Sequence, residues 1–238
     1  MKLLPLIFLS LLSITTYSQN NKQGIKISLG FSFSPDYSYR TLQNGNGSSS
    51  SGTVITVRDD IELARVSFTS GLNLNFGFSS RFSLQTGLQY ADKGYKTKQQ
   101  DLFYIFPEPG LPDKAKYKYT YRYFGIPVYA KFSFGCRRAR FITGVGVTAN
   151  FLLSEKQITT LGYPDGNTKK SSTTNTYSFN KSDFTPQVSM GIQYALSKKI
   201  HLLAEPTYRF SLIKTKDEPV VEKLWTAGLV LGFRYNLK

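Results

Sequence analysis

Reactive side chains are sparse in this sequence. His201 is its single histidine and Cys136 its single cysteine. A lone cysteine excludes a disulfide within the chain, and beside Arg137 and Arg138 it reads as a turn thiol rather than a redox or metal centre. His201 has no acid assigned to orient it. Acyl transfer, lipid hydrolysis and proteolysis need a nucleophile, a base and an orienting group within hydrogen-bond reach, so the expectation is that this is not an enzyme. Neither metal-ligand spacing nor a glycine-rich phosphate loop is present, and no cofactor is expected.

The remaining chemistry is charge. One group is Glu205 with Arg209, Arg234 and Arg65. The other is a basic run of Lys93, Lys96, Lys98, Lys114, Lys116, Lys118 and Arg122, interleaved with Tyr95, Tyr117, Tyr119, Tyr121 and Tyr123. Lysines in such a run suit phosphate oxygens. They equally suit a solvated rim that keeps loops soluble.

The elements that must position these residues alternate with period two, the mark of a strand with one apolar face. Ile25, Ile27, Leu29, Phe31 and Phe33 share one face against Lys26, Ser28, Gly30 and Ser32. The same alternation recurs over 64–78, 82–90, 124–134, 141–151, 184–194, 200–210 and 225–237, which makes eight strands. Three connections are tight: 79–81, 135–140 and 197–199. Four are longer and polar: 35–62, 97–117, 154–183 and 214–223. Short and long links alternate, as they do in an up-and-down barrel with short periplasmic turns and long external loops. The expected fold is therefore all-β, an eight-stranded antiparallel up-and-down transmembrane β-barrel in the outer membrane of a Gram-negative bacterium.

The polar set of each strand is Gly, Ser, Thr, Asn and Gln, and the apolar set is Phe, Leu, Val and Tyr. An eight-stranded barrel is just wide enough for side chains to fill it. The small polar set suits that crowded lumen, and the apolar set suits a lipid-facing belt with aromatic girdles. Pro127, Pro186 and Pro206 fall inside strands; each removes a ladder donor and is expected to mark a bulge, a strand end or a change of register.

By parity Lys26, Arg65, Lys131, Arg209 and Arg234 point inward, with Glu205 the one inward acid within the strand cores. Glu205 is expected to pair with Arg234 or Arg209, because an unpaired charge in a water-poor lumen is costly. The network reads as a structural plug rather than a pore gate.

Residues 1–18 read as a signal peptide: Lys2, an apolar stretch from Leu3 to Ile14, and Thr16-Tyr17-Ser18 before a cut ahead of Gln19. Residues 19–238 would then form the barrel domain. The formal charge of +15 in an exported chain points to outer-membrane lipid, lipopolysaccharide included, rather than to nucleic acid. Residues 43–53 and 157–182 read as flexible loops, while Val54 to Val57 and Leu102 to Phe106 could extend strands above the membrane.

With the strands placed, the chain resembles the PorT-like outer-membrane β-barrel family of the Bacteroidetes. The resemblance rests on Gly87-Leu88-Gln89-Tyr90 with Lys93-Gly94, Tyr123-Phe124-Gly125-Ile126-Pro127-Val128, Gly144-Val145-Gly146 leading to Phe151-Leu152-Leu153, Gly191-Ile192-Gln193-Tyr194, and Leu231-Gly232-Phe233-Arg234-Tyr235. It implies an outer-membrane barrel, expected to be monomeric. It does not imply one activity; the founding member's association with type IX secretion makes protein partners in a secretion or gliding apparatus an alternative to a structural or surface-binding role.

Overall fold

The computed structural model describes residues 25–106, 108–135, 138–175, 179–216 and 218–237. The signal-peptide reading of 1–18 and the turn-thiol reading of Cys136 lie outside the described residues. The elements run β1 (Lys26–Asn44), α1 (Ser49–Ile61), β2 (Glu62–Gly77), β3 (Phe82–Thr97), β4 (Gln100–Asp101), β5 (Lys114–Phe134), β6 (Ala139–Gly162), β7 (Thr168–Asn175), β8 (Ser182–Ala195), β9 (Ile200–Phe210) and β10 (Val220–Asn236).

Eight of the strands close into a ring in the order β1-β2-β3-β5-β6-β8-β9-β10, with β10 returning to β1 and every pair antiparallel. Closure removes the exposed edge that hydrocarbon would not tolerate, since each unpaired amide there costs several kcal/mol. The eight strands match the eight alternating segments of the sequence. They run from 11 residues in β9 to 24 in β6. A tilted strand needs only about 9–11 residues to cross the hydrocarbon, so the longer ones continue beyond it.

Parity decides what faces outward. Phe31 and Leu229 are 50% and 40% exposed, and Leu72, Val145, Val188 and Met190 are likewise exposed. Their neighbours Ser34, Asn75, Thr148, Thr185, Ser189 and Thr226 are buried. Thus the apolar face is the outside and the polar face the core. Aromatic residues cluster towards both ends of the outer wall. Phe78–Phe82–Phe132 stack at 5.9 and 5.1 Å near the short turns. Tyr39, Trp225 and Tyr208 meet at 6.2 and 6.0 Å near the long connections.

Two of the short turns are built alike. Ser79 Oγ accepts from the amides of Arg81 and Phe82 at 3.2 and 2.9 Å, and Ser197 Oγ accepts from those of Lys199 and Ile200 at 3.2 and 3.1 Å. Each hydroxyl substitutes for a missing ladder partner and so closes a tight hairpin.

The prolines do not act as expected. Pro127 pairs with Thr148, Pro186 with Val147 and Pro206 with Leu229, and none of these ladders changes register there. The β8–β9 ladder lapses between Ser189–Thr207 and Ile192–Ala204, beside Pro206, then resumes in the same register. The missing donor costs ladder bonds, but the pairs on the far side of each strand hold the register. The two irregularities lie elsewhere, in β2–β3 between Ala64 and Phe68 and in β5–β6 at Arg122/Tyr123.

The regions read as flexible loops are partly ordered. Residues 49–61 form α1 rather than a loop, and Val54 to Val57 lie in that helix instead of extending a strand. Asn46 Oδ1 accepts from the Ser48 amide and the Ser51 hydroxyl at 3.1 and 2.9 Å and so ties down the start of the helix. Within 157–182, β6 and β7 form a hairpin closed by Pro164-Asp165-Gly166, with Gly166 at φ +83°. Leu102 to Phe106 form no strand; Phe103, Ile105 and Phe106 stand out in solvent at 94%, 91% and 82% exposure.

Candidate functional site: the luminal charge ladder

The inward faces stack ion pairs along the barrel. Nearest the short-turn end, Lys131 Nζ donates to Glu205 Oε1 at 2.6 Å and Ser189 Oγ donates to Glu205 Oε2 at 3.0 Å. Above them Arg209 donates through Nη1 to Asp36 Oδ1 and through Nε to Gln187 Oε1, both at 3.0 Å, and Thr69 donates to Asp36 Oδ2 at 2.6 Å. Next, Lys93 Nζ sits 3.7 Å from Asp183 Oδ2 and donates to Thr185 and Ser211 at 3.1 and 3.4 Å. Each charge is buried and each is matched by an opposite one. Low dielectric makes such pairs strong and an orphaned member costly.

The top of the lumen is aromatic. Ala91, Tyr95, Tyr121, Tyr123, Phe179 and Leu224 form a buried cluster. Glu222 is threaded through it, accepting from Tyr95 and Tyr121 at 3.0 and 3.3 Å and from Arg58 Nη2 at 2.6 Å. Arg58 comes from α1 and also donates through Nε to Glu62 at 2.7 Å; Glu62 in turn accepts from Arg40 at 2.6 Å. The helix is thereby pinned over the mouth by its one arginine, together with Asp59, which pairs with Arg40. Burial works against the Arg58 charge, but Glu62 and Glu222 outweigh it and hold its pKa above the ordinary guanidinium value.

Several sequence expectations change here. Glu205 pairs with Lys131, not with Arg234 or Arg209; the β5–β6, β6–β8 and β8–β9 registers bring Lys131 and Glu205 together. Glu205 is also not the sole inward acid. Asp36 and Asp183 belong to segments that the alternation assigns to loops, but β1 and β8 run far enough to carry them inside. Arg65 lies in the β2 irregularity and pairs with Asp92. Arg234 makes one contact, to Gln193 Oε1 at 3.3 Å, and no ion pair among the described residues.

Lys93 does not join the outer basic run. It shares parity with Gln85 and Gln89 on the inward side of β3 and is 2% exposed. Alternate tyrosines of the run, Tyr95, Tyr121 and Tyr123, are likewise inside. Lys96, Lys98, Lys116, Lys118 and Arg122 remain outside the lumen, on the β3–β5 hairpin above the lipid belt. Lys98 lies 3.5 Å from Asp60 of α1. The rule that separates the two sets is again period two, continued beyond the membrane.

His201 sits at the opposite end. Its ring nitrogens meet the side-chain amides of Gln193 at 3.1 Å and Asn236 at 3.0 Å. Two amides fix the ring but neither is a base-orienting acid. Among the described residues no three His, Cys, Asp or Glu side chains are placed to hold a metal ion. Between the luminal layers lie voids of about 20 and about 30 Å³, each the size of one or two waters.

The family model of the outer membrane protein beta-barrel domain matches residues 15–217. The chain belongs to this family. It is an outer-membrane β-barrel, with its apolar wall against lipid and its charge ladder inside. Among solved structures it is similar to Neisserial surface protein A (12% identity, 90% of this chain and 100% of the other, TM-score 0.48), to OprG of Pseudomonas aeruginosa (14%, 92% and 98%, 0.45) and to Ail of Yersinia pestis (12%, 90% and 100%, 0.39). No curated protein sequence matches the chain.

Proposed function

We propose that this barrel is a closed structural and surface-binding protein that works through its external end. The observation that carries this reading is the stack of ion pairs across the lumen, Lys131–Glu205, Arg209–Asp36 and Lys93–Asp183, under a helix pinned by Arg58. A wall this filled leaves no path for solute, so activity falls to the exterior. There Lys96, Lys98, Lys116, Lys118 and Arg122 form a basic band above the lipid belt. In this reading they contact phosphates of the outer-leaflet glycolipid, a charge-assisted role suited to lysine and arginine. Residues 1–18 act as the export signal, and the barrel is monomeric.

The test is binding of purified lipopolysaccharide to the protein in detergent. Replacing Lys116 and Lys118 together by Gln weakens it under this reading; unchanged binding contradicts it.

A second reading, an accessory role in a type IX secretion apparatus of the PorT kind, is favoured by one observation. Phe103, Ile105 and Phe106 form an exposed apolar strip, and such strips usually mark a surface that a partner covers. A stable protein complex from solubilised outer membrane, lost on Phe103→Ser with Phe106→Ser, would support it.

A further inference from the structure

The short-turn mouth of the barrel holds a cavity that the ladder above it does not use. Its volume is about 290 Å³. Five cations line it: Lys26 from β1, Arg81 from the β2–β3 turn, Arg140 from β6, Lys198 from the β8–β9 turn and Arg234 from β10. No aspartate or glutamate is among its lining residues. The buried cations described above each have a carboxylate partner; here five half-buried or exposed cations converge from separate points around the ring, and none has an ion pair among the described residues. Glu205 faces Arg234 across a narrow void but is already engaged by Lys131.

A second observation points the same way. Asn75 lines this cavity and is 3% exposed, yet its Oδ1 has no hydrogen-bond partner among the described residues. An amide can turn over to present its NH₂ instead, which would give the cavity wall a neutral donor beside the cations. Same-sign charge in a recess with low-dielectric walls focuses the field and concentrates counter-ions.

We infer that the short-turn mouth is a binding site for a small phosphate-bearing anion. Three guanidinium groups offer forked donors that match phosphate oxygens, and two ammonium groups add point charge. A dianion offsets more of the clustered charge than a carboxylate does. The cavity lies at the lower end of ligand-pocket volumes, about 300 Å³, which suits a compact phosphate and excludes an extended polymer. By the rule that puts short turns in the periplasm, the ligand arrives from that compartment, as a free phosphate or as the headgroup of an inner-leaflet lipid. The inference is independent of the external loops, which lie at the other end.

The test uses the full chain folded in a detergent without phosphate, titrated calorimetrically with inorganic phosphate and pyrophosphate at low ionic strength. One saturable site per barrel is expected. Arg140→Gln and Arg234→Gln should each weaken it about tenfold, as loss of one charge-assisted contact does, while Lys170→Gln in the exposed β7 at the far end leaves it unchanged. Should Arg234→Gln fail to fold, Lys198→Gln in the exposed turn is expected to weaken binding in the same direction. In phosphatidylcholine vesicles free phosphate binds as in detergent if the free anion is the ligand. In vesicles doped with phosphatidic acid it is excluded if the headgroup takes the site. No saturable binding of either anion, or binding unaltered in the Arg140 and Lys198 variants, overturns the inference.

Discussion

Lys131 and Glu205 are joined at 2.6 Å across the barrel although 74 residues separate them, and their side chains are 8% and 2% exposed. Breaking one member of such a pair leaves the other charged and dry, at a cost of about 3–5 kcal/mol. Glu205→Ala is therefore expected to lower the melting temperature in detergent. The double variant Lys131→Met, Glu205→Leu recovers most of the loss, because it leaves no unpaired charge and orphans only the Ser189 hydroxyl. Thermal unfolding followed by circular dichroism checks both, and equal destabilisation by the single and double variants would contradict the pairing.

The lumen stays closed when one layer is removed, since other ion pairs and the aromatic cluster lie in series. Single-channel recording of Glu205→Ala in planar bilayers is expected to show no conductance above that of the parent.

Arg58 joins α1 to Glu62, Glu222 and Tyr95. Arg58→Ala should loosen the helix, leaving Asp59–Arg40 as its remaining ion pair to β1, while the barrel below survives. The readout is faster amide hydrogen exchange over 49–61 with an unchanged barrel melting temperature; exchange at the parent rate would show that α1 is held otherwise.

Gly228 lies against Asp36. A Cβ there would fall on Asp36 Oδ1 and crowd Pro35 O, so Gly228→Ala displaces the acceptor of Arg209. Its folding yield from urea into lipid vesicles should fall well below that of Ala227→Gly, a change of similar size on the outward face.

Much of this architecture was legible in the chain, and the reasons are local. Strand existence and the facing of Phe31, Leu72 or Thr226 follow from period two, which any window of eight residues displays. What was not legible depends on register between distant strands. Asp36 and Arg209 are 173 residues apart, and no local pattern couples them. Asp36 was also hidden because a Pro precedes it, which reads as the end of a strand that in fact continues to Asn44. Helix α1 lacks an apolar stripe: its serines, threonines and glycine look like a loop, and it is held by Asn46 at its start and Arg58 near its end rather than by burial of a face. Lys93 was grouped with its neighbours by composition, when the parity of Gln85 and Gln89, followed four residues further, places it inside.

The central claim is the sidedness of the wall. With Cys136 replaced by Ser, spin labels placed singly at Leu72, Val188 and Leu229, and at Asn75, Thr185 and Thr226, can be scored in vesicles for collision with oxygen dissolved in the acyl chains. High accessibility at the first three and low accessibility at the second three is the predicted result; the reverse assignment, or no difference between the two sets, would contradict a barrel that turns its apolar face to lipid.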